Sequence, residues 1–415
     1  MRIIKGRAIA AQLKNLESRR LLFAAQTERV VARIVRDVRS QGDVALRRYA
    51  ERLDGLSRQQ PFRVTQTELQ RALTSVNPEF RRALESASRN IRQFADWQKP
   101  QEFLREVQPG ISVGQVIRPL ESVGCYVPGG RYPLPSSLLM TVIPAQVAGV
   151  GRIAVASPRP ALETLAAAAL LGVNEFYAIG GAQAIAALAY GTRSIPAVRK
   201  IVGPGNRFVT TAKKLVAFDC AIDFLAGPTE TVLVSDTGTP AFIAADMLAQ
   251  SEHDPDARAV FITSRPDLAK ALAVELKKGA QTNSAAAQSL ARNGLIFLTG
   301  SPAASMEVAN AIASEHLTVA EAQLGDVRNA GSIFIGDYTA QALGDYASGP
   351  NHVLPTAGAA RFRGGLSVLD FLKIVTVQQA TSDGIRSLAP VVETLARAEG
   401  LQAHADSVRV RCSRA

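Results

Sequence analysis

Past residue 124 the chain alternates short runs of Val, Ile and Ala with glycine turns and helical stretches. Arg152-Ile153-Ala154-Val155-Ala156 reads as a buried strand and 162–171 as a helix. The run 175–179 enters Gly180-Gly181-Ala182-Gln183, and Lys200-Ile201-Val202 enters Gly203-Pro204-Gly205-Asn206; a helix is expected after each. Further strands are predicted at 231–234, 259–263, 295–298 and 332–335, with helices at 267–278 and 306–313 between them. Strand, turn and helix in repetition mark a parallel α/β layer. Before residue 124 the texture differs. Apolar positions at helical spacing predict amphipathic helices over 27–53 and 78–97, and the β-branched stretch 101–123 predicts short strands. Residues 1–24 read as a peripheral arm, and 367–415 as helical with a short β-like end.

The chain has 415 residues, 47% of them hydrophobic, which is enough for two or three domains with buried cores. No apolar run reaches the ~18 residues of a membrane span. The first residues carry no apolar stretch suited to a secretory signal, so a cytoplasmic protein is expected. Cys125, Cys220 and Cys412 form no C-x-x-C pair, which argues against a disulfide framework or a thiolate zinc site. Net charge is +11, a balance that suits nucleic acid or an anionic small molecule. The basic residues are dispersed among acids, and the densest patch, 409–414, is short. Aromatic residues are only 6% and do not interleave with the basic ones, so nucleic-acid binding is not expected.

The candidate chemistry is polar and sparse. Gln250 and His253 stand three apart at the end of an apolar helical run, on one face. They read either as a polar helix end or as two ligands of a divalent metal, zinc first. Only four histidines occur, 253, 316, 352 and 404, each near a carboxylate in sequence. Together they suggest a metal with an acid–base pair. Glu315 and His316 are neighbours, so they must share a helix end or loop to face one cleft. The turns at 180–183 and 203–206 can offer backbone N–H groups to a phosphate, or can simply need glycine's conformational freedom. Neither completes a dinucleotide fingerprint. The stretch 127–137, rich in Pro and Gly, reads as a rigid functional loop.

With these residues in order, the sequence resembles the histidinol dehydrogenase family. The segments that carry the resemblance are Tyr126-Val127-Pro128-Gly129-Gly130, Gly181-Ala182-Gln183-Ala184-Ile185-Ala186, Val202-Gly203-Pro204-Gly205-Asn206 and Ala226-Gly227-Pro228-Thr229-Glu230. They continue through 250–255, Glu315-His316-Leu317, 344–355, 367–371 and 399–404.

The resemblance implies NAD-dependent, four-electron oxidation of L-histidinol to L-histidine. It implies an α/β fold of two incomplete Rossmann-like domains with parallel-rich sheets and small terminal segments, in an intertwined homodimer. The expected division is an arm at 1–24, a first domain of 25–125 with 231–366, an NAD-contacting domain at 126–230, and a dimerisation segment at 367–415. One zinc per subunit is implied on Gln250, His253, Asp345 and His404. Glu315 and His316 are the implied catalytic pair. Thr229, Gln250, His253, His316, Asp345, Glu399 and His404 are implied around the substrate, with Glu399 and His404 donated by the partner subunit. Tyr126, Gln183 and Asn206 are implied at NAD. His352 receives no role. One position departs from the family pattern: Thr229 stands where serine is usual, which keeps the hydroxyl and adds a methyl. The competing expectations are a related dehydrogenase of another small alcohol, a zinc hydrolase using Glu315, and a non-catalytic binding protein.

Overall fold

The computed structural model describes residues 1–18, 25–129 and 133–413. In chain order the strands are β1 (Arg2–Lys5), β2 (Arg63–Val64), β3 (Phe103–Gln108), β4 (Ile111–Pro119) and β5 (Ser122–Tyr126). There follow β6 (Arg152–Ala156), β7 (Glu175–Tyr177), β8 (Lys200–Val202), β9 (Ala221–Ile222) and β10 (Glu230–Val234). The last are β11 (Arg258–Thr263), β12 (Leu295–Leu298), β13 (His316–Val319), β14 (Ser332–Ile335) and β15 (Leu372–Ala380).

Two six-stranded sheets carry the fold. One runs β2-β7-β6-β5-β8-β9 and the other β1-β12-β11-β10-β13-β14. The first is parallel except at its β2 edge, and the second is parallel throughout. Without their edge additions β2 and β1, both have the third-second-first-fourth-fifth order of a doubly wound sheet lacking its last strand. The central strands β5 and β10 are buried along their whole length, as strands covered by helices on both faces must be. A third sheet, β15-β4-β3, is antiparallel and stands apart.

Strand pairing corrects the expected division at two places. Residues 25–125 were grouped with the 231–366 half, but β2 and β5 lie in the sheet of β6–β9. Helix Ala25–Gln41 covers that same sheet: Val31, Ile34, Val35 and Val38 share a core with Ile185, Leu188, Val209 and Ala212. The alanine-rich helix Gly181–Tyr190 offers a flat surface, which is what the stripe of branched side chains needed. The arm is corrected over its described part. β1 extends the other sheet beside β12, and helix Ala8–Ser18 lies on helix Pro302–Ile312; residues 19–24 fall outside the described residues.

Two local expectations also change. The helix expected over 27–53 breaks at Gly42, whose φ is 53°. A second helix covers Asp43–Tyr49, and a π-helical turn covers Ala50–Asp54. The expected β-like end is a helix, Gln402–Cys412, folded back on helix Ser382–Ala398. The Val-Arg alternation at 408–411 imitates a strand, yet the segment packs as a helix against a helical partner.

Candidate active site

The catalytic candidates gather at the amino ends of the β10–β13 sheet. β10 pairs β13 with Thr231 opposite His316, so Thr229 and Glu230 lie beside Glu315. Glu315 Oε2 accepts from the Thr229 hydroxyl at 2.6 Å and from the Glu230 N–H at 2.9 Å. Having given its proton to a carboxylate, the Thr229 oxygen can only accept. It does so from Gln250 Nε2. The direction of each bond fixes the next: Gln250 is left with its carbonyl oxygen as the free end. Gln250 is 3% exposed, whereas His253, one helical turn on, is open to solvent.

His316 lies across from this chain. Its Nε2 meets Asp345 Oδ1 at 3.3 Å, and its Nδ1 stands 3.8 Å from Glu315 Oε2, buried and without a hydrogen-bond partner. A carboxylate accepts only, so Nε2 carries the proton and Nδ1 holds the lone pair of the neutral ring. Asp345 rides on the short helix Gln341–Tyr346. Gln341 secures that helix: its Oε1 accepts from Thr231 of β10 at 2.8 Å, and its Nε2 donates to Thr318 of β13 at 3.0 Å.

Burial shapes the charges here. It raises the Glu315 carboxyl, against the pull of the His316 charge and the Thr229 and Glu230 bonds. Burial alone would lower His316, but the Asp345 bond and the Glu315 charge outweigh it and the imidazole rises. Asp345 goes the other way: desolvation would raise it, but the hydrogen bond and charge of His316 outweigh burial and hold it down. Glu230, buried beside Arg258, is pushed up to about 7 by desolvation.

Two side chains join the site without a sequence assignment. His352 Nδ1 lies 2.7 Å from the Asp345 carbonyl, and its Nε2 lies 3.2 Å from Ser137 Oγ. Burial depresses this imidazole, so the neutral ring donates to the carbonyl and accepts from Ser137. Ser137 ends the loop read as rigid; Gly130, Arg131 and Tyr132 of that loop lie outside the described residues, as does Arg414 of the basic tail. A Gly-Pro-Asn-His stretch close after Asp345 was the available signal for His352.

The cofactor candidates lie at the carboxyl ends of the other sheet. The Tyr126 hydroxyl accepts from the Gly181 N–H at 3.1 Å, and Gln183 Nε2 donates to Asp54 Oδ2 at 3.0 Å. Asn206 caps helix Arg207–Val216, its Oδ1 taking the N–H groups of Phe208 and Val209. A buried Lys213–Asp223 pair braces the turn before it. Asp223 accepts from the Gly203 N–H at 2.8 Å, and Lys213 donates to the Gly203 carbonyl at 3.0 Å. A cavity of about 800 Å³ is lined by Asn206 from the one group and by Thr229, Glu230 and His253 from around the other.

Glu399 and His404 are not brought to this cluster within one chain. They are exposed on the C-terminal helical hairpin and bond to none of its members. Among the described residues no three His, Cys, Asp or Glu side chains form a metal cluster. A single chain offers His253, Asp345 and the freed oxygen of Gln250, a nitrogen and oxygen set compatible with zinc.

Two incomplete doubly wound halves with a buried carboxylate–imidazole pair beside Thr229 and Glu230, which line the cavity, are the frame and site of an α/β enzyme. A model of the family described as histidinol dehydrogenase matches residues 17–412. A histidinol dehydrogenase of Methanothermobacter thermautotrophicus is 47% identical over 395 residues, 92% of each chain. One from Bacillus cereus is 44% identical over 413 residues, covering 97% of this chain and 96% of its own. The crystal structure of histidinol dehydrogenase from Elizabethkingia anophelis superposes with a TM-score of 0.95 at 34% identity, covering 100% of this chain and 98% of its own. The chain belongs to the histidinol dehydrogenase family, whose oxidation of histidinol serves histidine biosynthesis.

Proposed function

We propose that the chain oxidises L-histidinol through its aldehyde to L-histidine in two hydride transfers, with His316 and Glu315 moving the protons. The observation that carries this reading is the directed chain from Gln250 through Thr229 to Glu315, with the unpartnered His316 Nδ1 beside it. His316 Nδ1 takes the proton of the alcohol oxygen as hydride leaves the carbon that bears it. Glu315 then draws a proton from water, which hydrates the aldehyde and presents a second hydride. Thr229 holds one Glu315 oxygen in place through both steps.

Tyr126, Gln183 and Asn206 are the residues we assign to NAD, which would supply the hydride acceptor. Zinc supplies orientation by anchoring the substrate; Gln250, His253 and Asp345 would hold it together with His404 of the partner subunit. Glu399 of the partner subunit would complete the substrate pocket. We infer an intertwined homodimer from two features. Both residues lie exposed and away from the cluster, and the antiparallel sheet and hairpin expose Leu104, Val107, Ile374, Val391 and Leu395. Such apolar surface favours a partner. Free thiols at Cys125, Cys220 and Cys412 suit the reducing cytoplasm, and no helix among the described residues is long and apolar enough to cross a membrane.

The test is NADH formation with L-histidinol, before and after chelation. We expect two NADH per histidinol, loss of turnover on metal removal and recovery with zinc. One NADH per substrate, or full activity after complete removal of metal, refutes the reading.

A further inference from the structure

Asp54 reverses the local rule for burial. It is 6% exposed while the adjacent Leu53 is 47% exposed, so the carboxylate points inward and the leucine outward. The π-helical turn Ala50–Asp54 produces the reversal, closed by Gly55 at φ 72°. The extra residue of a π turn changes which position faces the core. A buried carboxyl in place of an available leucine is costly, and such local violations concentrate at functional sites.

The carboxyl has a specific task. Asp54 Oδ2 accepts the Gly180 N–H at 3.1 Å and Gln183 Nε2 at 3.0 Å. An oxygen that takes both donors dictates which end of the Gln183 amide faces it. Gln183 is fully buried, and its Oε1 has no hydrogen-bond partner. Next to it, Gly181 at φ 62° donates to Tyr126; a Cβ there would meet Gln183 Oε1 at 2.8 Å. One carboxyl thus holds a glycine turn and leaves a single buried acceptor unsatisfied, a state that is costly until a donor arrives. Asn206 is oriented in the opposite sense: its oxygen is used in the cap, so its amide N–H₂ is the free end.

We propose that Asp54 is a positioning residue for the cofactor, which fixes Gln183 with its carbonyl oxygen turned toward a hydrogen-bond donor of the dinucleotide, a ribose hydroxyl or the carboxamide N–H. This rests on the assignment of Gln183 to NAD. Asp54 comes from a helical segment outside the strand–turn–helix units, and it stands in for the glycine fingerprint that those turns lack.

The experiment is NADH binding, followed by fluorescence, with the histidinol KM measured alongside. Asp54→Leu frees the amide and weakens NADH about tenfold, the value of one hydrogen bond, with the histidinol KM unchanged. Asp54→Asn keeps an acceptor oxygen and stays within about twofold. Gln183→Glu sets two carboxyls face to face. Relative to wild type at the same pH, it binds NADH about tenfold more weakly at pH 8 and recovers toward pH 6, where the pair shares a proton. The other charged or titratable groups near the pair are Arg159 and Tyr126; burial pushes the Tyr126 phenol up to about 12, outside that interval. No recovery at pH 6, or a histidinol KM that moves as far as NADH affinity, overturns the proposal, even if Asp54→Leu does not fold. If Gln183→Ala leaves NADH binding intact, Gln183 itself leaves the cofactor site and the proposal falls with it. If Gln183→Ala weakens binding and Asp54→Leu does not, only the role of Asp54 is overturned.

Discussion

Single hydrogen-bond directions decide what the site can do. Thr229 is the pivot, since its hydroxyl gives to Glu315 and takes from Gln250. Thr229→Ser keeps the hydroxyl and should stay within about threefold in kcat, while the isosteric Thr229→Val should lose about 100-fold, the scale of one positioned proton-transfer group. Steady-state NADH formation measures both, and metal analysis should find zinc retention reduced in the valine variant as the Gln250 amide turns. Glu230 gives a stability test. Its folded-state pKa of about 7 exceeds the ordinary carboxyl value of 4.5, so the folded chain binds this proton more tightly than the unfolded one. This contribution to stability is present at low pH and declines as pH rises from about 4.5 to 7. Glu230→Gln should remove that decline, read as a Tm advantage over wild type that grows between pH 5 and pH 8. The sequence exposes identities such as Glu315-His316 and Gln250-x-x-His253, but not these directions. The hydroxyl of Thr229 and the lone pair of His316 gain meaning only from partners 21, 29 and 86 residues away.

Elements set these partners at the right height. The parallel register of Thr231 with His316 brings two remote segments level, and Gln341 ties the helix that carries Asp345 to both strands. Removing it leaves the Thr231 and Thr318 hydroxyls without this partner in a buried place. Gln341→Leu should therefore destabilise the chain by about 2–4 kcal/mol in denaturant unfolding. Activity should fall further than the loss of folded protein explains, because Asp345 shifts with its helix. The strand–turn–helix units were legible because fully buried parallel strands read as apolar runs closed by glycine. Gly42 was legible only as a glycine; its break of the expected helix follows from φ 53°, which composition does not reveal. Asp54 and Gln341 were illegible for a related reason: each looks like the polar face of an amphipathic helix until its partner is known.

On the scale of the whole molecule, the two sheets face the cavity with opposite ends. Doubly wound sheets usually bind ligands beyond the carboxyl ends of their strands, at the switch point of strand order. The β5–β8 sheet follows that rule, with Tyr126 and Asn206 at its switch point. The β10–β13 sheet presents its switch point too, but from the amino ends, where Thr229, Glu315 and His316 lie. Asn206 of the one sheet and Thr229 and Glu230 of the other therefore line one cavity although they belong to separate sheets. On the proposed reading a single chain offers Gln250, His253 and Asp345 to a metal, while His404 sits on an exposed hairpin. If His404 of the partner subunit completes each site, the two inactive variants His316→Ala and His404→Ala must complement each other. In a mixed dimer one site would collect both defects and the other neither. Random reassembly of equal amounts yields half mixed dimers, so NADH formation should recover to about a quarter of the wild-type rate. If each chain instead completed its own site, both sites of every mixed dimer would carry a defect, and reassembly would restore no activity.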